Sequence, residues 1–260
     1  MTDGKLFEEL VSIVRRLRGQ DGCPWDREQT HASLLPYFLE EAYEVIETVD
    51  DGDWETLSEE LGDILLHVIF QTQIARENGE FDLEAVIENI NKKLVRRHPH
   101  VFGDEKAEGP FHAKQNWEAA KQKEKGRTSR LDGVPRALPA LIRAQRLQQK
   151  ASYVGFDWEK AHEVWEKVHE ELEELKTAES GGVRKQIEEE VGDLLFTLVN
   201  LCRFLGISAE DSLRKSNEKF TRRFQSVEKE LKKRGGSIEE ADLEEMNRIW
   251  KDIKENPDSR

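Results

Sequence analysis

The residues best suited to chemistry in this chain are acids, and their arrangement occurs twice. Glu40-Glu41-Ala42-Tyr43-Glu44 is followed by Glu59-Glu60-Leu61-Gly62-Asp63. Glu170-Glu171-Leu172-Glu173-Glu174 is followed by Glu188-Glu189-Glu190-Val191-Gly192-Asp193. Glu41, Glu44, Glu60 and Asp63 recur at Glu171, Glu174, Glu190 and Asp193 with a constant offset of 130 residues. Acids three apart share one helix face. Two such helices packed together aim four carboxylates at one point, where like charges repel unless a hard divalent cation compensates them. Mg²⁺ usually takes one or two protein carboxylates and keeps positions for water and phosphate. Four acids therefore imply two ions, or one ion with some acids in an outer shell.

The alternative for any single Glu is a solvated acidic helix face. Asp63 and Asp193 fit that alternative least, because each interrupts an apolar run, Glu-Leu-Gly-Asp-Ile-Leu-Leu and Glu-Val-Gly-Asp-Leu-Leu-Phe. An acid facing a core needs a partner. Gly62 and Gly192 beside them cost ~1 kcal/mol in mid-helix relative to Ala. Their missing side chains leave room for a neighbouring helix or a ligand.

A basic and aromatic set is duplicated too. Asn91, Lys93 and Arg97 match Asn217, Lys219 and Arg223 at an offset of 126, and Trp117 and Lys121 match Trp250 and Lys254 at an offset of 133. Lys and Arg four apart form one helix edge able to clamp phosphate oxygens, with Arg as a bidentate fork. The Trp residues can stack on a base or pack in a core. Exposed basic faces paired with Glu are the plainer reading of the cations. Other constellations are weaker. Glu166-Lys-Val-His169 has a di-iron spacing, but its counterparts are Pro36 and Leu39. His98-Pro-His100 has no equivalent in the second half and suits a helix end. Cys23-Pro-Trp-Asp26 suits packing and turn chemistry. No Gly-rich phosphate loop of Walker or Rossmann type occurs, so a phosphate site must be built from helices.

Helical periodicity dominates the rest. Leu6, Leu10, Ile13, Val14 and Leu17 make one stripe, and Leu61, Ile64, Leu65, Val68 and Ile69 another that returns at Val191, Leu194, Leu195, Leu198 and Val199. The expected helices run near 4–18, 33–50, 54–77, 83–97 and 113–124, then near 137–152, 159–178, 184–205, 209–234 and 239–254. Asp82 and Ser208 are expected N-caps. Strand signals are absent, so the fold class is all-α, with domains at 1–125 and 137–260 joined by a linker at 126–136. Pro99 to Pro110 reads as irregular.

The 260 residues carry a net charge of −14 with 36% charged and 37% hydrophobic residues. Such acidity disfavours general binding to nucleic acid or anionic membrane. Two cysteines, Cys23 and Cys202, lack metal spacing and suit a reducing compartment. With no signal-like N-terminus and no apolar run near the ~18 residues of a span, the expected location is cytoplasmic.

These residues resemble the MazG family of nucleoside triphosphate pyrophosphohydrolases in its tandem form, whose pattern is Glu-Glu-x-x-Glu followed by Glu-x-x-Asp. The resemblance covers essentially the whole chain, including Gly22-Cys-Pro-Trp-Asp26, Arg97-His-Pro-His-Val-Phe102, Val154-Gly-Phe-Asp-Trp158 and Asn217-Glu-Lys-Phe220. It implies a four-helix core per domain and a homodimer. It also implies hydrolysis of NTPs to NMP and pyrophosphate with Mg²⁺, or Mn²⁺ in its place. Glu171, Glu174, Glu190 and Asp193 would bind metal, with Glu41, Glu44, Glu60 and Asp63 as their counterparts. Asn217, Lys219, Arg223, Trp250 and Lys254 would contact nucleotide, as would Asn91, Lys93, Arg97, Trp117 and Lys121 in the first half. Glu170 or Glu40 would orient or deprotonate the attacking water. Two rivals remain at this stage: a metal- and nucleotide-binding regulatory protein without turnover, and a hydrolase of damaged nucleotides or nucleotide-bearing metabolites.

Overall fold

The computed structural model describes residues 3–123 and 128–255, and the first two residues of the expected linker lie outside them. Among the described residues every regular element is a helix. The chain divides into two compact units, with the division at Ala120/Lys121. In the first unit α1 is Asp3–Leu17, α2 Pro24–Glu28, α3 Leu35–Asp51, α4 Trp54–Glu77, α5 Leu83–Arg97 and α6 Pro99–Phe102. Helix α7, Pro110–Lys123, runs across the division. In the second unit α8 is Ala140–Ser152, α9 Ala161–Gly181, α10 Arg184–Phe204, α11 Ala209–Lys233 and α12 Leu243–Glu255.

The expected helices all form, and their ends follow local chemistry. Asp82 Oδ1 accepts from Ala85 N at 2.9 Å and Ser208 Oγ from Asp211 N at 3.3 Å, so both expected caps are made. The last helix begins at Leu243 rather than near 239, because 238–240 form a turn and Asp242 Oδ1 accepts from Glu245 N at 2.7 Å. Periodicity could not reveal α2 and α6, each one turn begun by a proline whose fixed φ suits a first helical position. Helix α6 falls within the stretch expected to be irregular.

The two long hairpins, α3–α4 and α9–α10, matter most for function. Each reverses through a left-handed glycine, Gly52 (φ 69°) and Gly182 (φ 69°). Gly182 N donates to Ala178 O and Glu179 O at 3.2 and 3.1 Å, closing the last turn of α9. A residue with a Cβ is strained at that φ. In the first unit Val14, Leu34, Ile69, Phe70 and Ile74 form the core, with Phe7, Leu10, Val11 and Leu66 packed against it. Helix α4 is thus held by both α1 and α3, and α5 packs on it as well. In the second unit α10 packs on α8, α9 and α11, and α11 packs on α12 around Val227, Leu231 and Ile249. Each fully buried aliphatic side chain contributes ~1.5–3 kcal/mol of apolar transfer, which fixes the register of the hairpins.

Candidate active site

The hairpin turn explains why acids so far apart in sequence meet. Glu44 lies eight residues before Gly52 and Glu60 eight after it, while Glu41 and Asp63 lie eleven before and eleven after. In an antiparallel helical hairpin, residues equidistant from the turn stand at one height, here roughly 12 and 16 Å above it at 1.5 Å per residue. Glu174 and Glu190, then Glu171 and Asp193, repeat those distances from Gly182. The duplicated spacing is therefore the condition for two carboxylate rungs on each hairpin.

The side chains occupy those rungs. Oxygens of Glu41, Glu60 and Asp63 lie within 4.8 Å of one another, as do those of Glu171, Glu174 and Glu190. The fourth acid of each set stays coupled to the others. Glu44 hydrogen-bonds Glu41, and Asp193 raises the proton affinity of Glu190 through its charge. Loss of water, the Glu44 hydrogen bond and the charges of Asp63, Glu44 and Glu60 push the Glu41 carboxyl up to about 7. Glu60 and Glu190 are raised too, by desolvation first and then by neighbouring carboxylates. All-oxygen, mutually repelling, helix-mounted ligands suit Mg²⁺ or Mn²⁺. Gly62 and Gly192 expose the hairpin surface beside the acids. A Cβ on either would meet nothing within 4 Å, so among the described residues no helix makes the close approach that was one of the two readings of these glycines.

A residue the sequence reading passed over sits in the second cluster. Lys167 Nζ lies 2.8 Å from Glu170 Oε1 and 2.8 Å from Glu171 Oε1. Its hydrogen bonds to Glu170 and then Glu171 raise its proton affinity well above the ordinary lysine value. Glu171 is buried, whereas Glu170 is exposed and reaches the cluster through this amine. The signal was present in the sequence: a cation one turn before the acid pair, at a position that is Tyr37 in the other repeat. Glu40 is likewise exposed beside Glu41.

The two repeats treat their basic and aromatic residues differently. In the first unit Arg97 is buried, with its guanidinium 5.1 Å from the Trp117 ring centre, and His98 meets the same ring at 4.8 Å. Lys93 is half-buried on α5 and Asn91 exposed, while Lys121 is half-buried on α7. In the second unit Asn217 and Lys219 are exposed on α11 and Arg223 is half-buried. Trp250 packs on the Val227–Leu231–Ile249 core and meets Phe220 at 5.4 Å, and Lys254 is exposed one turn on. Helices α5 and α11 pack on α4 and α10, the helices that carry the second acid pair of each unit.

The set-aside motifs take structural places. His98 Nδ1 lies 2.8 Å from Leu94 O at the end of α5, and His169 Nδ1 lies 2.7 Å from Trp165 O on its own helix. Pro24 opens α2 after Cys23, and Asp26 O accepts from Arg18 Nη1 at 2.5 Å.

Comparison with known proteins bears on the same residues. The MazG nucleotide pyrophosphohydrolase domain matches residues 29–102 and 159–228, spanning each acid cluster once. The chain is 49% identical over 253 residues, 96% of both chains, to the nucleoside triphosphate pyrophosphohydrolase/pyrophosphatase MazG of Thermotoga maritima. It is 46% identical over 254 residues, 95% of this chain and 97% of the relative, to the nucleoside triphosphate pyrophosphohydrolase of Escherichia coli K12. A mycobacterial relative, the nucleoside triphosphate pyrophosphohydrolase of Mycobacterium tuberculosis, is 39% identical over 154 residues, 58% of this chain and 46% of that one. With two matched segments, one on each acid-bearing hairpin, the chain belongs to the MazG nucleotide pyrophosphohydrolase family.

Proposed function

We propose that this protein hydrolyses nucleoside triphosphates to the monophosphate and pyrophosphate, with Mg²⁺ as the resident cation and Mn²⁺ able to replace it. The observation that carries this reading is the convergence of acids from two helices within 4.8 Å, in both repeats of a chain of this family. In the second unit Glu171, Glu174, Glu190 and Asp193 would hold the cation, and Glu41, Glu44, Glu60 and Asp63 would do so in the first. A bound divalent ion neutralises charge on the triphosphate. The chain's own groups do the rest. Glu170, positioned through Lys167, takes the proton of water attacking the α-phosphorus. Lys219, Arg223 and Lys254 meet the charge of the departing pyrophosphate, and Asn217 and Trp250 complete the nucleotide-facing edge. Glu40, Asn91, Lys93, Arg97, Trp117 and Lys121 are the counterparts in the first half.

The functional protein is a homodimer in this reading. Leu35, Leu39 and Tyr43 on α3 and Leu61, Leu65 and Val68 on α4 are at least 37% exposed at helical spacing, a stripe that a second copy would cover. No single helix among the described residues is long and apolar enough to cross a membrane.

The direct test is product analysis. Pyrophosphate should appear as first product from NTPs, only with a divalent cation present. Orthophosphate as first product, or full turnover in EDTA, would exclude the mechanism. Light scattering at micromolar chain should give twice the 30.2 kDa chain mass.

A further inference from the structure

A cleft of about 650 Å³ opens beside the acid cluster of the second unit. Lys167, Glu171 and Asp193 line it on the cluster side, so the cleft and the carboxylates share residues. The remaining wall is mostly apolar and aromatic: Leu147 and Ala151 of α8, Phe156 and Trp158 of the loop after α8, and Phe196 and Thr197 of α10. Phe156 is 82% exposed and Trp158 43% exposed, two aromatic faces left to water. The loop that carries them is fixed, not loose. Arg203 Nη1 donates to Asp157 Oδ2 at 2.9 Å, Arg203 Nη2 donates to Asp157 Oδ1, and Arg203 Nε donates to Asn200 Oδ1 at 2.9 Å.

One polar atom in this wall has no partner. Gln148 is 92% buried, and its Nε2 donates to Phe196 O at 2.7 Å, but its Oε1 is buried with no hydrogen bond. A buried acceptor left unpaired is costly and calls for a donor. The matching wall of the first unit is built from different residues. Thr197, Asn200 and Arg203 correspond, at the 130-residue offset, to His67, Phe70 and Gln73. Phe70 is buried in the core there, with the Arg18 guanidinium 5.4 Å from its ring centre.

We propose that this cleft seats the nucleobase of the substrate in the second unit, stacked against Trp158 and Phe156, with Gln148 Oε1 accepting a hydrogen bond from an N–H of the base. The proposal rests on the pyrophosphohydrolase reading for what the neighbouring acids do, and adds where the base goes and what it must carry. A flat π-face suits aromatic walls whatever the base. A triphosphate extending from the cleft reaches Lys167 and the carboxylates, which line its other side.

The test uses the full chain carrying Glu60→Gln, so that the first unit's cluster is impaired in every arm, and reads binding by calorimetry with Mg²⁺ present. The probes are the α,β-methylene analogue of ATP, the same analogue of purine riboside triphosphate, whose base has no N–H, and inorganic tripolyphosphate. Gln148→Leu should weaken the ATP analogue about tenfold and leave the purine riboside analogue and tripolyphosphate within about twofold. Ala151→Phe disturbs no side-chain hydrogen bond and fills the cleft. It should weaken both nucleotides about tenfold or more and spare tripolyphosphate, and it keeps the test decisive should Gln148→Leu not fold. If nucleotides and tripolyphosphate weaken together, or no nucleotide is affected, the base does not sit here. A loss of dimer mass in Ala151→Phe without a selective loss of nucleotide assigns the cleft to subunit packing and overturns the proposal. Pyrophosphate release by the unaltered chain is measured alongside. Turnover with base-indifferent binding sinks the pocket, while base-selective binding without turnover sinks the hydrolase reading.

Discussion

Lys167 donates to Glu171 across one turn of α9 at 2.8 Å, and the same position in the first repeat is Tyr37. The second cluster therefore carries a positive charge at a position that is neutral in the first repeat. In the metal-free protein this amine offsets part of the repulsion around Glu171. If a cation takes the carboxylates as proposed, the amine would stand at their edge, beside the proposed triphosphate. Lys167→Met should tighten divalent-ion binding to the nucleotide-free protein, because a competitor for Glu171 is gone. The same variant should lower kcat/KM about 10- to 100-fold, the worth of one charge-assisted hydrogen bond to phosphate. Calorimetric titration with Mn²⁺ and steady-state kinetics check the two halves of this prediction, and weaker Mn²⁺ binding would contradict it.

The repeat predicts how activity divides between the units. Glu190→Gln keeps side-chain shape and helix propensity but removes the charge of one proposed metal ligand, and should cost about 10²-fold or more in turnover by the second unit. Glu60→Gln should do the same to the first unit. If the second unit carries turnover of common NTPs, Glu190→Gln alone abolishes it and Glu60→Gln scarcely matters. If both units work, only the double variant reaches the floor. Unchanged rates in all three variants, with normal helical circular dichroism, would remove the acid clusters from the catalytic centre.

Most of the fold was legible because the chain states its helices redundantly. Apolar stripes at period 3.6 mark the helices, Asp82 and Ser208 cap the starts of α5 and α11, and Gly52 and Gly182 close α3 and α9. The acid clusters were legible for a different reason, the constant offset between halves. The unexpected features break that duplication. Lys167 opposite Tyr37, Asn200 opposite Phe70 and Thr197 opposite His67 give the second cluster a lysine and a flanking cleft, whereas Phe70 joins the core of the first unit. Attention to what repeats hides what differs. The one-turn helices α2 and α6 were beyond reach for another reason, since four or five residues carry no measurable period.

Arg97 and Arg223 occupy one position in the duplicated pattern but different environments. Arg97 is buried against Trp117, whereas Arg223 is half-buried on α11. A desolvated cation–π contact is worth ~2 kcal/mol, and truncating a buried charged group strands its other partners. Arg97→Ala should therefore cost about 2 kcal/mol or more in stability. Arg223→Ala should cost about 0.5 kcal/mol or less while raising KM for NTPs. Urea denaturation and steady-state kinetics on both variants separate the cases. Equal loss of stability in the two would show that the repeats use this arginine alike.

The strongest pH signature should come from Glu41, whose carboxyl sits at about 7 against an ordinary 4.5. A raised folded-state value means that the folded chain holds this proton more tightly than the unfolded chain does. The resulting stabilisation is fully present below about pH 4.5 and is lost as pH rises through about 7. Glu60 and Glu190 are shifted in the same direction and add to the trend. Glu77 runs the other way. Burial pushes it up, but Arg18 and Gln73 outweigh that and hold it below the usual range, so its contribution disappears on acidification. The difference between wild type and Glu41→Gln isolates Glu41 from that background. In metal-free buffer the wild type should lose melting temperature relative to the variant between about pH 5 and about pH 8. If Glu41 is a metal ligand as proposed, a divalent cation must displace its proton to bind, and Mn²⁺ should raise the wild-type melting temperature more at the upper end of that range. Its binding near neutral pH should release a proton, measurable as a calorimetric enthalpy that changes with buffer ionisation heat. Identical pH slopes and identical proton release in wild type and Glu41→Gln would mean that Glu41 does not hold the shared proton of the first cluster.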